Sequence, residues 1–342
     1  MQAVYIHGRR DVRIGELALP DRANEIPVDV SAVGICGSDL HYYLEGGIGA
    51  AQIREPFVPG HEFAGRMAQD YEPMGLRRGE LVAIDPARPC GRCEWCRRGH
   101  VNLCPNVEFA GAPPHGGAMT ERITVEPHQI FKLPEGMTAS VAVMLETLGV
   151  SLHAIDLAKP KLLESVAVIG CGPVGLCAVQ LLREAGVGEI LAIDPLAYRT
   201  QVALATGAAQ AGDDHRAIAD WTGGRGVDLV VEATNAPEGF QHAADAARIG
   251  GRVVLVGIPE GNLYTLTADV ARRKGLTIRF SRRMGDVYPR TIRLVAEGRV
   301  DVDAIVSHRF PIGQAPEAFA MQAAYADGAL KTLIYPNGVE SA

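Results

Sequence analysis

Aromatic residues are few in this chain of 342 residues, and neither acidic nor basic residues are in large excess over the other. Aromatics make up 6%, and 33 Lys and Arg against 40 Asp and Glu leave a net charge of −7. A protein that coats nucleic acid needs a basic surface, so this balance disfavours that class. No run of apolar residues approaches the ~18–20 that cross a bilayer, and Met1 to His7 is typical of a strand rather than a signal peptide. We therefore expect a cytoplasmic protein with no nucleic-acid or membrane partner.

Internal repeats and low-complexity tracts are also missing, which excludes solenoid and tail-like architectures. The 47% hydrophobic and 21% charged residues are those of an ordinary globular protein, so the composition also disfavours disorder. At roughly 100–200 residues per domain, the length predicts two domains. The 39 glycines and 21 prolines predict that both are rich in turns.

The first 140 residues or so are short apolar runs separated by glycine and proline, a pattern typical of an all-β domain of barrel or sandwich type. A helical stretch over 138–158 then leads into an alternation of strands and helices, with helices over 173–185 and 239–249. The strands of this part are nearly continuous apolar runs, as in a parallel sheet covered on both faces. They are Ser165–Ile169, Glu189–Ile193, Asp228–Glu232, Arg252–Val256 and Leu276–Phe280. The sequence predicts an α/β protein with a doubly wound parallel sheet and a tail that returns to the first domain.

A glycine-rich turn directly follows the first of these strands and opens a predicted helix. Gly170 allows a tight turn, Gly172 lets the backbone approach a pyrophosphate, and Gly175 lets the helix pack against the strand. The N–H groups at the helix N-terminus favour the phosphates. The motif predicts a dinucleotide site, and a glycine turn without a ligand is the alternative. Its residues are Gly170, Cys171, Gly172, Pro173, Val174 and Gly175.

An acidic residue, Asp194, stands 19 residues after Gly175, at the end of the next predicted strand. A carboxylate there binds both ribose hydroxyls and repels a 2′-phosphate, which favours NAD over NADP. Arg199 follows closely and acts against this preference, because a nearby arginine accommodates a 2′-phosphate. We expect NAD, with NADP as the less favoured cofactor.

The seven cysteines are an odd number, and four of them lie within 15 residues, which argues for metal rather than disulfides. Four thiolates in one loop suit a closed, tetrahedral structural zinc site. An iron–sulfur cluster is an alternative, and so is a zinc ribbon that binds nucleic acid, although the net charge disfavours the ribbon. The four residues are Cys90, Cys93, Cys96 and Cys104.

A second set of metal-ligand residue types is spread along the chain: Cys36, His61, Glu62 and Glu146. A thiolate, an imidazole and a carboxylate suit a catalytic zinc, which keeps one position for water or substrate. Spacing alone does not establish this site, because a lone His is usually a core residue and a lone Glu is usually solvated.

Together these residues resemble the zinc-dependent medium-chain dehydrogenase family over essentially the whole chain. The run from Gly60 to Gly65 resembles its zinc signature, and Cys36 to Tyr42 resembles the sorbitol and L-idonate dehydrogenase branch. The resemblance implies a GroES-like catalytic domain over 1–148, with a structural zinc lobe at about 88–106. It also implies a Rossmann NAD-binding domain over 149–284 and a C-terminal segment over 285–342 that completes the catalytic domain.

The resemblance implies two zinc ions per chain, one catalytic and one structural. Cys36, His61 and Glu146 fall on the catalytic-zinc positions, and a carboxylate at the third is typical of polyol dehydrogenases. Glu62 falls where the polyol branch has a Glu that binds the metal directly or through water. The positions of Ser38 and His41 correspond to those of the family's proton relay.

Three further residues fall on substrate-binding positions of the family: Tyr42, Phe109 and Arg283. An aromatic residue is usual on either side of that arginine, whereas this chain has Arg282 and Met284. The distal end of the substrate is therefore expected to be more anionic, as in an aldonate. A solvated pair formed by Arg282 and Arg283 is the alternative.

The function implied is transfer of hydride between NAD and a secondary alcohol of a polyol or sugar acid, with zinc as Lewis acid. One alternative is a dehydrogenase acting on 2,3-butanediol or threonine. Another is a zinc-stabilised nucleotide-binding protein without catalysis. Relatives in the polyol branch are often tetramers, so the resemblance also implies a homo-oligomer, either tetramer or dimer.

Overall fold

The computed structural model describes residues 1–19, 22 and 24–339. The chain divides into two compact units. The first unit comprises Met1–Glu146, Tyr288–Ala296 and the chain from Val302 onwards. The second comprises Thr147–Val287 and Glu297–Asp301. Both ends of the chain therefore build the first unit, and the middle of the chain builds the second.

The N-terminal part of the first unit consists of short strands and short helices, as the frequent glycine and proline residues predict. Strand β3 is its longest strand and is buried along most of its length, because apolar residues fill its inward positions. The elements are β1 (Gln2–Gly8), β2 (Asp11–Glu16), β3 (Ile26–Gly34), α1 (Gly37–Glu45), β4 (Gly47–Ile48), β5 (Ala51–Gln52), β6 (Glu62–Met67), β7 (Leu81–Ile84), β8 (Ala87–Arg88), α2 (Glu94–Arg97), β9 (Glu108–Phe109), β10 (Arg122–Val125) and β11 (Ile130–Lys132).

Helix α3 (Ala139–Ala158) continues from the first unit into the second. By length and composition it is apolar enough to cross a membrane, so the expectation that the chain contains no such segment is wrong. However, 72% of its most apolar window is buried inside the structure. Burial of this kind is typical of a core helix in a soluble protein.

The second unit is built on a parallel sheet with strand order β14-β13-β12-β15-β16-β17, which confirms the predicted α/β fold with a doubly wound sheet. The order reverses at β12, whose carboxyl end is the usual ligand position of such a sheet. The elements are β12 (Ser165–Ile169), α4 (Pro173–Glu184), β13 (Glu189–Ile193), α5 (Ala197–Thr206), β14 (Gln210–Gly212), α6 (Ala217–Trp221), β15 (Val227–Glu232), α7 (Gly239–Ala246), β16 (Ala247–Leu255), α8 (Ala268–Lys274) and β17 (Thr277–Phe280).

Two details of this sheet differ from the sequence prediction. The helix predicted over 239–249 ends at Ala246, because Ala247 pairs with Val227 and thereby begins β16. Strand β14 was not predicted at all. Its three residues are only half buried, so they do not form the continuous apolar run on which the other strands were identified.

The C-terminal segment returns to the first unit through α9 (Tyr288–Ala296), β18 (Val306–Pro311), α10 (Ala315–Ala323) and β19 (Lys331–Tyr335). Strand β19 pairs with β3 and places Leu333 opposite Gly34. The sheet order is β11-β7-β6-β3-β19-β18, with β10 also paired to β3. The end of β3, the start of β6 and the start of β19 thus lie side by side, and the candidate site is built there.

Candidate active site

Three metal-ligand side chains meet where β3 ends and β6 begins. Cys36 follows β3, His61 immediately precedes β6, and Glu62 is the first residue of β6. One ligand atom from each lies within 4.8 Å of the other two: a sulfur, an imidazole nitrogen and a carboxylate oxygen. Gly34 pairs with Glu62, and a Cβ on Gly34 would lie 2.2 Å from Glu62 Oε2. Glycine at this position therefore leaves the space that the carboxylate fills.

Asp39 joins the two segments that carry these ligands. Its Oδ2 accepts the N–H of Cys36 at 2.9 Å, and its Oδ1 accepts the N–H of Gly60 at 3.2 Å. The side chain is fully buried, and this burial raises its pKa although nearby His61 lowers it. Because one carboxylate holds both backbones, the positions of Cys36 and His61 are fixed relative to each other.

Lys331, the first residue of β19, reaches the same site. Its Nζ donates to Oε1 and Oε2 of Glu62 at 2.7 and 2.5 Å and to the carbonyl oxygen of Ile35 at 3.3 Å. Both side chains of the ion pair are only 2% exposed. Burial lowers the pKa of Lys331, but the carboxylate of Glu62 and the thiol of Cys36 outweigh it, so that the pKa is raised. Lys331 is therefore charged and holds Glu62 in place.

Negative charge is crowded at this site. Burial raises the pKa of the Cys36 thiol well above its usual value, and the carboxylate of Glu62 raises it further. Burial also raises the pKa of Glu146 to about 7, with Glu62 adding to the effect and His61 opposing it. Without a cation, burial and the neighbouring acidic groups therefore disfavour the ionised forms of Cys36 and Glu146. A bound divalent cation would favour those ionised forms, and a thiol, an imidazole and a carboxylate are a donor set that fits zinc.

Glu146 is 4% exposed and interacts electrostatically with His61, Glu62 and Lys331. It does not belong to the set of residues whose ligand atoms all lie within 4.8 Å of one another. Glu62 is thus the carboxylate that stands among the ligand atoms, and Glu146 lies near them.

Helix α1 carries Ser38 and His41, the two residues of the predicted proton relay. They are three residues apart, so they lie on one side of the helix. The helix begins beside the metal-ligand group, because Cys36 is its N-cap. At the other end, Nδ1 of His41 forms a hydrogen bond with Oε1 of Glu45.

The two aromatic residues predicted to bind substrate have different surroundings. Phe109 is half buried, and its ring centroid lies 5.2 Å from that of His61. Tyr42 is 4% exposed and meets Phe57 edge-on at 5.2 Å, within the hydrophobic core of the first unit. Phe109 therefore borders the metal-ligand group, whereas Tyr42 packs in the core.

The loop between β8 and β9 gathers the four clustered cysteines. Their Sγ atoms all lie within 4.8 Å of one another, and those of Cys93 and Cys104 are 3.9 Å apart. A tetrahedral zinc with bonds of about 2.3 Å holds its sulfurs about 3.8 Å apart, which matches this spacing. The N–H groups of Cys96 and Cys90 point at the sulfurs of Cys93 and Cys104, each at 3.4 Å.

Two of these thiols have opposite pKa shifts. The backbone N–H groups of Arg92 and Cys93 lower the pKa of Cys90 to about 6. Burial and the neighbouring thiols raise the pKa of Cys96 to about 12. Four thiolates therefore coexist at this spacing only with a cation among them, so the loop fits a structural zinc.

In the second unit, the glycine turn lies between β12 and α4. Gly170 has a φ of +92°, and a Cβ there would lie 2.7 Å from the carbonyl oxygen of Ala233. A Cβ on Gly175 would lie 1.8 Å from the carbonyl oxygen of Gly170. Only glycine at these two positions allows the tight turn and the close approach of helix and strand.

The start of α4 leaves room for an anion. A Cβ on Gly172 would meet only the guanidinium of Arg199, at 3.9 Å. Gly172 is the N-cap of α4, and Pro173 and Val174 begin this helix of twelve residues. The free N–H groups of the first turn and the nearby guanidinium together fit the pyrophosphate of a nicotinamide dinucleotide.

Asp194 follows β13 and is 3% exposed. Its Oδ2 accepts the N–H of Cys171 at 2.9 Å, and its Oδ1 accepts the N–H of Leu196 at 2.9 Å. Nη1 of Arg199 lies 3.4 Å from Oδ2. The acidic and basic residues that bear on the choice between NAD and NADP are thus in direct contact.

Arg283 follows β17 in the second unit and is half buried, whereas its neighbour Arg282 is exposed. Its φ is +53°, a conformation that is uncommon for a residue other than glycine. Seven other described residues that are not glycine also have a positive φ, so this conformation does not by itself mark a functional position.

Lys331 and Glu45 were not identified from the sequence. A lysine inside the apolar run from Leu330 to Tyr335 is a usable signal, because lysine is almost never fully buried unless it is paired. Glu45 stands one helical turn after His41, but α1 itself was not predicted as a helix.

Comparisons with known proteins give concordant matches. The family model described as "Alcohol dehydrogenase GroES-like domain" matches residues 22–135, and the model described as "Zinc-binding dehydrogenase" matches residues 173–297. Sorbitol dehydrogenase of Bacillus subtilis (strain 168) is 34% identical over 344 residues, which cover 98% of each chain. The two models and this relative together span almost the whole sequence.

Two solved structures share the fold over nearly their full lengths. L-Idonate 5-dehydrogenase of Escherichia coli K-12 has a TM-score of 0.89 at 27% identity, over 98% of both chains. An alcohol dehydrogenase of Escherichia coli CFT073 in complex with NADH has a TM-score of 0.88 at 27% identity, over 98% of this chain and 99% of that one.

Proposed function

The chain belongs to the zinc-dependent medium-chain dehydrogenase family, and we propose that it transfers hydride between NAD and a secondary alcohol of a polyol or sugar acid. The observation that carries the proposal is the convergence of Cys36, His61 and Glu62 within 4.8 Å beside the helix that bears Ser38 and His41. Sorbitol is a polyol and L-idonate is a sugar acid, so the names of the relatives support this substrate class.

Each residue of the site has a separate task in this proposal. Cys36, His61 and Glu62 would hold the catalytic zinc, with Glu146 beside them. When bound, zinc supplies Lewis-acid chemistry that makes a hydroxyl easier to deprotonate. Ser38 accepts the hydroxyl proton and passes it to His41. Hydride transfer itself is the chemistry of the nicotinamide.

The proposal assigns two zinc ions to each chain, the second of them held by the four clustered cysteines. It also assigns NAD rather than NADP as the preferred cofactor. Asp194 supports this preference, because its buried carboxylate lies beside the turn and would repel a 2′-phosphate. Arg199 pairs with that carboxylate and so offsets part of the repulsion.

Substitution of Arg283 should distinguish a sugar-acid substrate from a neutral polyol. A guanidinium forms charge-assisted, bidentate hydrogen bonds with a carboxylate, and these are stronger than its hydrogen bonds to neutral hydroxyls. For an aldonate, Arg283→Ala should lower kcat/KM about ten- to hundredfold, which corresponds to about 1.5–3 kcal/mol. For a neutral polyol the loss should be smaller and similar across chain lengths. Arg282→Ala is the matched control, because Arg282 is exposed.

The experiment that tests the proposed function is formation of NADH, followed by absorbance, over a panel of polyols, aldonates, short diols and threonine. We expect a polyol or an aldonate to give the highest kcat/KM. A preference for 2,3-butanediol or threonine would replace the substrate class but keep the enzyme class. Tight NADH binding without turnover of any compound would identify a nucleotide-binding protein that is not an enzyme.

The proposal extends to domain roles and assembly. The first unit would carry catalysis and structural zinc, and the second would bind the cofactor.

Strand β17 is an edge of its sheet and is largely exposed, and Phe280 at its end is 58% exposed beside Tyr264. An exposed apolar edge strand is a template for pairing, so we assign it to contact with a second copy of the chain, as in a dimer or tetramer. None of the seven cysteines forms a disulfide, which supports a reducing, cytoplasmic compartment.

A further inference from the structure

A buried carboxyl group lies next to the point where the strand order of the parallel sheet reverses. Glu232 is the last residue of β15 and is 2% exposed. It pairs with Ile169, the last residue of β12, and with Leu255, the last residue of β16. Because the glycine turn begins directly after Ile169, Glu232 lies beside the turn that fits the dinucleotide. The proposed reaction does not use this carboxyl group.

Hydrogen-bond donors face the carboxyl group of Glu232. Its Oε1 accepts the backbone N–H of Thr234 at 2.8 Å and also accepts the hydroxyl of Thr234. Burial raises the pKa of Glu232, while these two donors and the N–H of Gly257 lower it. In the part of the chain that the structure describes, no Lys, Arg or His forms an ion pair with this group. The carboxyl group therefore acts as an acceptor for Thr234 rather than as one half of an ion pair.

Two glycines leave the space that this carboxyl group fills. A Cβ on Gly239, the first residue of α7, would lie 2.6 Å from Oε1 of Glu232 and 2.6 Å from the hydroxyl oxygen of Thr234. A Cβ on Gly257, which follows β16, would lie 2.8 Å from Oε2 of Glu232 and 1.9 Å from the carbonyl oxygen of Thr234. The carboxyl group is thus enclosed by three segments: the turn after β15, the start of α7 and the turn after β16.

Thr234 connects Glu232 to the glycine turn. Its hydroxyl bonds to the carboxyl group, whereas its methyl carbon Cγ2 faces Gly170, on which a Cβ would lie only 2.7 Å away. The preceding residue, Ala233, contacts the turn as well, because its N–H donates to the carbonyl oxygen of Ile169 at 2.8 Å. The glycine turn therefore packs against the residues that follow β15. Since threonine has few rotamers, a hydrogen bond to its hydroxyl also fixes its methyl group.

We propose that Glu232 is a positioning residue of the cofactor site, which fixes Thr234 and thereby the shape of the glycine turn that binds the pyrophosphate of NAD. This inference rests on the proposed function, because the proposed function assigns the turn to NAD. Without the carboxyl group, the N–H and the hydroxyl of Thr234 lose their acceptor, and the side chain is no longer held in one rotamer. The N–H groups of the turn are then less well preorganised for the phosphates, so binding weakens.

A second carboxylate on the same strand has different surroundings and serves as a control. Asp228 lies near the amino end of β15, and its side chain is 14% exposed. Its Oδ1 accepts from Arg225 at 2.8 Å and from Arg248 at 2.5 Å, and its Oδ2 accepts the N–H of Ser165 at 3.0 Å. In a parallel sheet the amino ends of the strands lie at the edge opposite to the glycine turn. Removal of this carboxylate therefore tests for a general loss of stability without a change at the turn.

The first test measures the Kd for NADH by fluorescence titration of the full-length zinc enzyme. Glu232→Met has a side chain of similar length without an acceptor and should raise the Kd about tenfold. Glu232→Gln keeps an oxygen that accepts from Thr234 and should stay within about threefold of the wild type. Asp228→Asn should bind NADH as the wild type does, although its melting temperature should fall. A wild-type Kd in Glu232→Met, or an equal rise in Asp228→Asn, would overturn the proposal.

The second test asks whether Glu232 acts through Thr234. Thr234→Val keeps a methyl group that faces Gly170 and removes the hydroxyl, so the Kd for NADH should rise about three- to tenfold. In the double variant with Glu232→Met, the rise should be smaller than the product of the two single rises. Effects that multiply fully would overturn the proposal, because the two residues would then act independently. If Glu232→Met does not fold, Thr234→Val alone decides, and an unchanged Kd in that variant would overturn the proposal.

The outcomes distinguish this proposal from the proposed function. NADH binding that follows the expected order of variants, without turnover of any compound in the panel, would support the role of Glu232 and overturn the proposed reaction. Turnover of a polyol or an aldonate with the same KM for NAD in the wild type and in Glu232→Met would leave the reaction intact and overturn the role of Glu232. Absence of NADH binding by the wild type would overturn both, because the glycine turn would then not be a cofactor site.

Discussion

The ammonium of Lys331 contacts both carboxylate oxygens of Glu62, at 2.7 and 2.5 Å, and both side chains are buried. The two residues come from opposite ends of the chain and meet because β19 pairs with β3, whose last residue faces Glu62. The carboxylate of Glu62 thus stands among the candidate zinc ligands and is also held by the ammonium of Lys331. The C-terminal segment therefore supplies a residue to the candidate metal site as well as two strands to the sheet of the first unit.

Lys331→Met should destabilise the zinc-free protein by about 3–5 kcal/mol, because Glu62 then becomes a buried charge without its partner. Zinc should recover more stability in this variant than in the wild type, since the metal replaces the missing positive charge. Urea unfolding with and without zinc measures both effects. The double variant Glu62→Gln with Lys331→Met is the control. If it is no more stable than Lys331→Met alone, the two charges are not coupled.

Removal of one ligand from each zinc site should have different consequences. Cys93→Ser takes a ligand from a closed site whose binding energy is partly folding energy, so stability should fall while surviving protein keeps activity. Cys36→Ser should instead abolish activity with little loss of stability. Metal content, thermal unfolding and kcat of the two variants check this. A Cys93→Ser protein with full zinc content and full stability would contradict the structural site.

Asp194→Ala should shift cofactor preference towards NADP. The change removes a carboxylate that would repel the 2′-phosphate. It also releases Arg199 from its ion pair with Asp194, so that the guanidinium can bind the phosphate. The ratio of kcat/KM for NADP to that for NAD should rise tenfold or more. Adding Arg199→Ala should reverse much of this gain. An unchanged ratio in Asp194→Ala would mean that other residues set the preference.

The rings of His215 and His242 are stacked, with centroids 3.9 Å apart and planes inclined by 13°. Burial lowers the pKa of His215, and the charge of His242 lowers it further. The unfolded chain therefore takes up the proton first, and stability falls as pH drops below the unfolded value of about 6.5. Above that pH the stack contributes fully.

His215→Phe keeps an aromatic partner for His242 and removes the titration. Its melting temperature should fall less between pH 7 and pH 5 than that of the wild type. Differential scanning calorimetry at the two pH values, with both proteins saturated with zinc, gives the comparison. Equal losses in both proteins would show that the pair does not contribute to acid sensitivity.

Sequence patterns were sufficient where each residue carries its own signal. The apolar runs of β12 and β13 give strands with the predicted bounds, because both faces of a parallel sheet are covered by helices. The glycines of the turn are recognisable because each one meets a distinct steric requirement, as Gly170 and Gly175 show. The family resemblance was confirmed by the comparisons.

Features that depend on distant pairing were not predictable. Nothing near Lys331 in the sequence indicates Glu62, since their contact arises from the register of β19 on β3. The same limit applies to the hydrogen bond between His41 and Glu45, because it requires α1 to be a helix with His41 inside it. The substrate role of Tyr42 stays a prediction, and its packing against Phe57 in the core of the first unit is another contact that the local sequence does not indicate.

The transfer of deuterium from substrate to cofactor tests the central claim most directly. The best substrate of the panel is prepared with deuterium at its secondary alcohol carbons and incubated with the zinc enzyme and NAD⁺, and the reduced cofactor is analysed by mass spectrometry. The account predicts one deuterium in each NADH formed, with a ketone as the co-product. NADH that forms without deuterium, or no NADH from any polyol or sugar acid, would contradict it.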